Sequence, residues 1–282
     1  MQQPDLSRMI GAEIRLLLKR TSTWVLLAIW LVMSVTFSYI LPYIVYRSGS
    51  ASDFGEDFDS MLPGQLLDSV GSGLPFFGGS IVLIMGVISV GSEFGWGMWK
   101  TLFTQRPGRG RVFTAKMAAL GVMVIPFIVS ILILAAAASG IIAAIEGAPM
   151  DWPAPTAIAQ GLLGGWVILA VWTAAGVMLA TVTQGTGVAI GIGILWALVI
   201  EGLIGIFAGG ISWLGWLVDL LLRSNGYSLM RAMFDGAQGQ DQGPGSFAGP
   251  YVSGTQAMLV LLGYLVLFVG IPYLLLRRRD IA

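Results

Sequence analysis

From Ala118 to Ile145 the chain carries no Asp, Glu, Lys or Arg. A run of that length is a severe constraint, because a bilayer offers no water to backbone N–H and C=O groups and only a helix satisfies them within one segment. Five more apolar runs accompany it, at 24–46, 75–92, 157–181, 189–207 and 255–276. At 56% hydrophobic and 11% charged residues, with a mean hydropathy of +0.84, the chain is too apolar to cover a soluble core with polar surface. The expected fold is an all-α integral membrane protein with six transmembrane helices in one domain spanning 1–282. The 39 glycines suit close helix packing, and the 10 tryptophans are expected at helix ends.

The residue inventory removes whole classes of chemistry. With no Cys and no His, disulfides, thiolate or imidazole metal ligation, thiol nucleophiles and imidazole catalysis are excluded. No G-x-x-x-x-G-K-[ST] loop occurs, so no cofactor site is expected in this chain and any ATP would be hydrolysed by another polypeptide. G-x-S-x-G is absent, and the basic residues lie in short patches beside the apolar runs. Neither a hydrolase nor a nucleic-acid-binding protein is indicated. The chain is read as non-catalytic.

Residues 6–20, LSRMIGAEIRLLLKR, place Leu6, Met9, Ile10, Ile14, Leu16 and Leu17 on one side of a helical wheel and Arg8, Arg15 and Lys19 opposite. This is the pattern of an in-plane helix on anionic headgroups. Glu13 and Arg20 fall inside the apolar arc as exceptions. The run at 24–46 is too long for a signal peptide and no small-residue cleavage site follows it. Residues 47–74 read as an acidic loop, whose SASDFGEDFDS does not match a calcium loop. Pro126 is an expected kink in the third span. TQGTG at 183–187 is a tight return, and the connection 208–254 is external or re-entrant, its ISWLGWLVDLLL too short to span. Gly161, Gly164, Gly165, Gly187, Gly191 and Gly193 are expected to allow close packing in spans four and five.

Six spans put both termini on one side. With that side cytoplasmic, 12 of the 15 basic residues lie inside and 10 of the 15 acidic residues outside, so the expected orientation is N-in, C-in. The inner loop after span two, GSEFGWGMWKTLFTQRPGRGRVFTAK, is basic and aromatic, a handle for a cytoplasmic partner. Glu201 is the ionisable residue squarely inside a span. Structural packing or a dimer contact, substrate contact and proton relay all stay open for it.

The order of these features resembles the ABC-2 type permeases, the membrane subunits of bacterial ABC exporters. Glu93 stands where that family has a glutamate after span two, Pro107, Gly108 and Arg109 where it has Pro, a small residue and Arg, and Lys116 where a Lys opens span three. In place of the family's Gly-Thr the chain has Gly97-Met98, with Thr101 displaced. The resemblance implies that 6–20 is an elbow helix and 93–109 a coupling segment docking a cytoplasmic ABC ATPase, with Glu93, Trp96, Trp99, Lys100, Arg106, Pro107 and Arg109 as coupling residues. It further implies a second permease copy, identical or related, with ATP and Mg held by the partner ATPase. The cargo would be small and amphiphilic or lipid-like, exported across a bacterial plasma membrane. Two other classes remain: an ion- or proton-coupled carrier using Glu201, and a non-transporting membrane anchor of an ABC complex.

Overall fold

The computed structural model describes residues 5–49, 58–95, 108–208, 215–233 and 252–278. Among these the fold is an all-α bundle: α1 (Leu6–Lys19), α2 (Thr21–Arg47), α3 (Pro63–Gly95), α4 (Arg109–Glu146), α5 (Pro155–Thr183), α6 (Gly187–Gly205), α7 (Leu222–Met233) and α8 (Gly254–Arg278). Six of them, α2 to α6 and α8, are long and apolar enough to cross a membrane. The chain is a multi-pass integral membrane protein.

Two boundaries differ from the sequence reading. α3 begins at Pro63 rather than at 75, because Leu66, Leu67, Val70, Gly71 and Leu74 form a helical stripe that is buried against α4. Asp68 thus lies on a helix rather than in a loop. Pro75, read as a helix start, is absorbed by a π-turn at Leu74–Gly78. α4 begins at Arg109 rather than at 118 and continues unbroken past Pro126 to Glu146, where Gly147, at φ 66, ends it by sending the Ala148 N–H back to the Ala143 carbonyl.

The bundle is organised around α3 and α5, which run in the same direction. Their most apolar windows are 67% and 72% buried, against 17% for α2 and α8. At Gly86 a Cβ would collide with the Thr173 carbonyl, and at Gly176 with the Leu83 carbonyl. The two backbones therefore touch, an approach only glycine permits. Gly79 extends the contact by accepting the Trp172 ring, 2.6 Å from where its Cβ would be.

The glycines singled out from sequence divide. Gly164 packs against Met233 Sδ, Gly165 against Leu74 and Gly193 against Leu83, and Gly161 is buried in α5. Gly187 and Gly191 face open space. Nor are the tryptophans confined to helix ends: Trp30 and Trp172 are each 1% exposed inside the bundle. Two indoles cross-link spanning helices, Trp30 Nε1 donating to the Phe127 carbonyl (3.2 Å) and Trp166 Nε1 to that of Gly121 (2.9 Å).

Gly86→Leu or Gly176→Leu is expected to abolish monodisperse protein in size-exclusion chromatography. Gly187→Ala with Gly191→Ala is expected to elute as wild type and to melt within about 1 kcal/mol of it, since helical Gly→Ala adds no clash there.

Candidate functional site

α1 ends where its last carbonyls find donors in the next helix. Thr23 Oγ1 donates to the Leu17 carbonyl (2.8 Å) and Trp24 Nε1 to that of Leu18 (2.8 Å), while Arg20, extended at φ −76 and ψ 122, makes the corner between α1 and α2. α1 then lies along the start of α4 through Ile10, Ile14 and Leu17, leaving Arg8, Arg15 and Lys19 exposed.

The corner delivers Glu13 and Arg20, the two exceptions of the apolar arc, to a buried ionic cluster. Lys116 Nζ of α4 donates to Glu93 Oε1 at the end of α3 (2.6 Å) and to Glu13 Oε2 of α1 (2.8 Å). Arg20 Nη2 approaches the same Glu93 oxygen at 3.9 Å, and its Nη1 donates to the Ile88 carbonyl (3.1 Å) and to Ser92 Oγ (3.2 Å). Two cations and two carboxylates cancel formally. The side chains of Lys116 and Glu93 are only 2% and 3% exposed. Burying them costs several kcal/mol per ion, recovered only while each partner stays in place. The cluster welds α1, the start of α2, the end of α3 and the start of α4 into one body.

Among the coupling residues expected from sequence, Glu93 is thus buried, with Lys116 and Arg20 as its ion-pair partners. Arg109 is the half-buried first residue of α4. Trp96, Trp99, Lys100, Arg106 and Pro107 lie outside the described residues, as does most of the acidic stretch 50–60. Lys116 is placed by the structure at the centre of the cluster, and its signal was a lone Lys opening an apolar run. At the other end of the bundle Glu146 Oε1 of α4 accepts from Tyr43 Oη (2.7 Å) and Arg47 Nη1 (3.3 Å) of α2. α2 is therefore tied by charge directly to α4 at this end, and at the other end Arg20, just before it, shares Glu93 with Lys116 of α4.

Glu201 occupies a different setting. Leu195–Ile200 is a π-turn, whose i to i+5 spacing brings Trp196 beneath Glu201. Trp196 Nε1 donates to Glu201 Oε1 (2.9 Å) and the Arg223 backbone N–H to Oε2 (2.9 Å). The carboxylate, 1% exposed, caps the N-terminal end of α7, where helix-dipole charge and an orphan N–H favour an anion. Arg223, Asn225 and Ser228 of α7 are buried polar residues that sequence reasoning missed. Their signal was a polar heptad, RSNGYSL, placed after an apolar stretch too short to span. Among the described residues no group of three or more metal-type ligands forms.

Residues 29–282 match the family described as "Protein of unknown function (DUF2705)", and the chain belongs to that family. No curated protein matches the chain.

Lys116→Met is expected to strand Glu93 and Glu13 and to lower unfolding free energy by about 3–5 kcal/mol in denaturant titration. The double variant with Glu93→Gln is expected to recover part of that loss, giving a double-mutant coupling energy above about 1 kcal/mol.

Proposed function

We propose that this family member is the transmembrane permease subunit of an ATP-driven ABC exporter, working with a separate cytoplasmic ATPase. One observation carries the reading. The segment expected to dock the ATPase begins at Glu93, near the end of α3, and runs to Arg109 at the start of α4, and the helix ends that bracket it are joined through Lys116 to α1. A force on the segment therefore acts on the ends of α3 and α4 and on α1 together, which is what a coupling device requires.

With the basic end of the bundle cytoplasmic, ATP-driven closure of the ATPase pair moves the coupling segments. α3 and α5 follow as one body because their backbones touch, and the cargo path opens beside them. The permease contributes no catalytic group; it offers two packings of the helices between which ATP binding elsewhere chooses. A second permease copy completes the unit, and the cargo is small and amphiphilic or lipid-like. The carrier reading would give Glu201 the coupling role, but a donor on each of its oxygens suits a structural cap better.

The test is affinity purification of the tagged chain from its native membrane in mild detergent. Wild type is expected to bring down one soluble ABC ATPase and to support ATP hydrolysis in the purified complex. Trp96→Ala with Trp99→Ala is expected to lose at least tenfold of that recovery while keeping the elution profile. No ATPase with wild type in several mild detergents would overturn the reading.

A further inference from the structure

α7 does not cross the bundle. Its residues toward the C-terminus lie beside the start of α8, with Gly254 against Ala232, while Met230 and Met233 meet Gly164, nine positions into α5. Its middle is deeper, with Gly226 against Pro75 and Ile168. Just before its N-terminus, the Leu220 carbonyl accepts from Tyr264 Oη (3.0 Å), a residue ten positions inside α8 and so about 15 Å from the start of that helix. α7 thus starts beside Tyr264, well inside α8, and ends beside the first residue of that helix.

A helix that starts there has orphan N–H groups where no bulk water reaches them. Glu201 answers one of them through the Arg223 N–H, and Trp196, itself 44% exposed on α6, holds the other carboxylate oxygen. Much of the rest of the docking is apolar: Met230 and Met233 rest on glycines, and Leu67, Val70, Leu74, Ile128 and Leu162 line an apolar crevice beside Met230, while Arg223 lies over the Phe76 ring and Ser228 Oγ accepts from the Val252 N–H (3.2 Å). Within this docked arrangement Asn225 Nδ2 serves the Asp219 and Leu221 carbonyls, yet its Oδ1 is buried with no hydrogen-bond partner. The docked state therefore leaves a polar group unsatisfied that water would satisfy on undocking.

We propose that α7 is a movable plug and that Glu201 is the positioning residue that clasps it shut. Releasing the clasp lets α7 swing toward the start of α8, opening the crevice between α3, α4 and α5. For its part in transport the plug rests on the permease reading; the clasp itself does not.

The chain contains no cysteine, so Ser224→Cys makes the sole thiol, half-buried on the first turn of the docked helix. Its rate of modification by a membrane-impermeant maleimide is measured in reconstituted full-length protein. Glu201→Ala is expected to raise the rate at least tenfold, and Trp196→Phe, which keeps the carboxylate, about threefold. An unchanged rate in both variants, with wild-type elution, overturns the clasp.

A second arm uses Gly71→Cys with Met230→Cys, where a Cβ at 71 would lie 3.6 Å from that of Met230, within disulfide reach. Oxidation is expected to stop ATP turnover of the purified complex with the partner ATPase, and reductant to restore it. Turnover unaffected by the bridge overturns the plug. If no ATPase partner exists, the permease reading fails while the labelling result still decides the clasp.

Discussion

The α3–α5 contact at Gly86 and Gly176 is the constraint on which the rest of the bundle depends. Lipid supplies no hydrophobic drive between helices, so association relies on close van der Waals packing, which the backbone-to-backbone approach of α3 and α5 permits. With those two helices joined, α4 is laid on through the Trp166 indole, α2 joins α4 through Trp30, and α6 seats Gly193 on Leu83. The outer helices α2 and α8 leave most of their surface to lipid.

Among the described residues, buried charge is used sparingly and joins one helix to another. Lys116 with Glu93, Glu13 and Arg20 holds one end of α2, α3 and α4; Glu146 with Tyr43 and Arg47 holds the other end of α2 and α4. Glu201 holds the start of α7. In each case a carboxylate closes a corner that apolar packing alone would leave free to slide, because dispersion contacts are nearly indifferent to register whereas an unpaired buried charge is not. The joints thus set which helices are held to one another: α1 to the ends of α3 and α4, and α7 to α6.

Much of this was legible in the sequence. Composition and run length sufficed for six membrane-length helices, since a bilayer leaves the backbone no alternative. Glu13 and Arg20 announced themselves as breaks in an otherwise regular apolar arc, and Glu201 as a carboxylate inside a span. The start of α3 was hidden because Asp68, Ser69 and Ser72 dilute its apolar stripe and Pro75 imitates a helix start. The close pair Gly86 and Gly176 was hidden among 39 glycines, since which glycine is crowded depends on the neighbouring helix and not on its own surroundings in the chain.

The sequence by itself determined that the chain spans a membrane as helices, roughly where, and which ionisable residues sit where ionisation is costly. Those follow from local hydrophobicity and the backbone's need for hydrogen bonds, both properties of single segments. Only the tertiary structure decided which charges meet. Glu13 with Arg20, Glu93 and Lys116 come from three stretches of chain, and Glu201 finds its donor 22 positions away at a helix start. Pairing across such separations depends on helix rotation and depth, which are set by the fit of neighbouring surfaces.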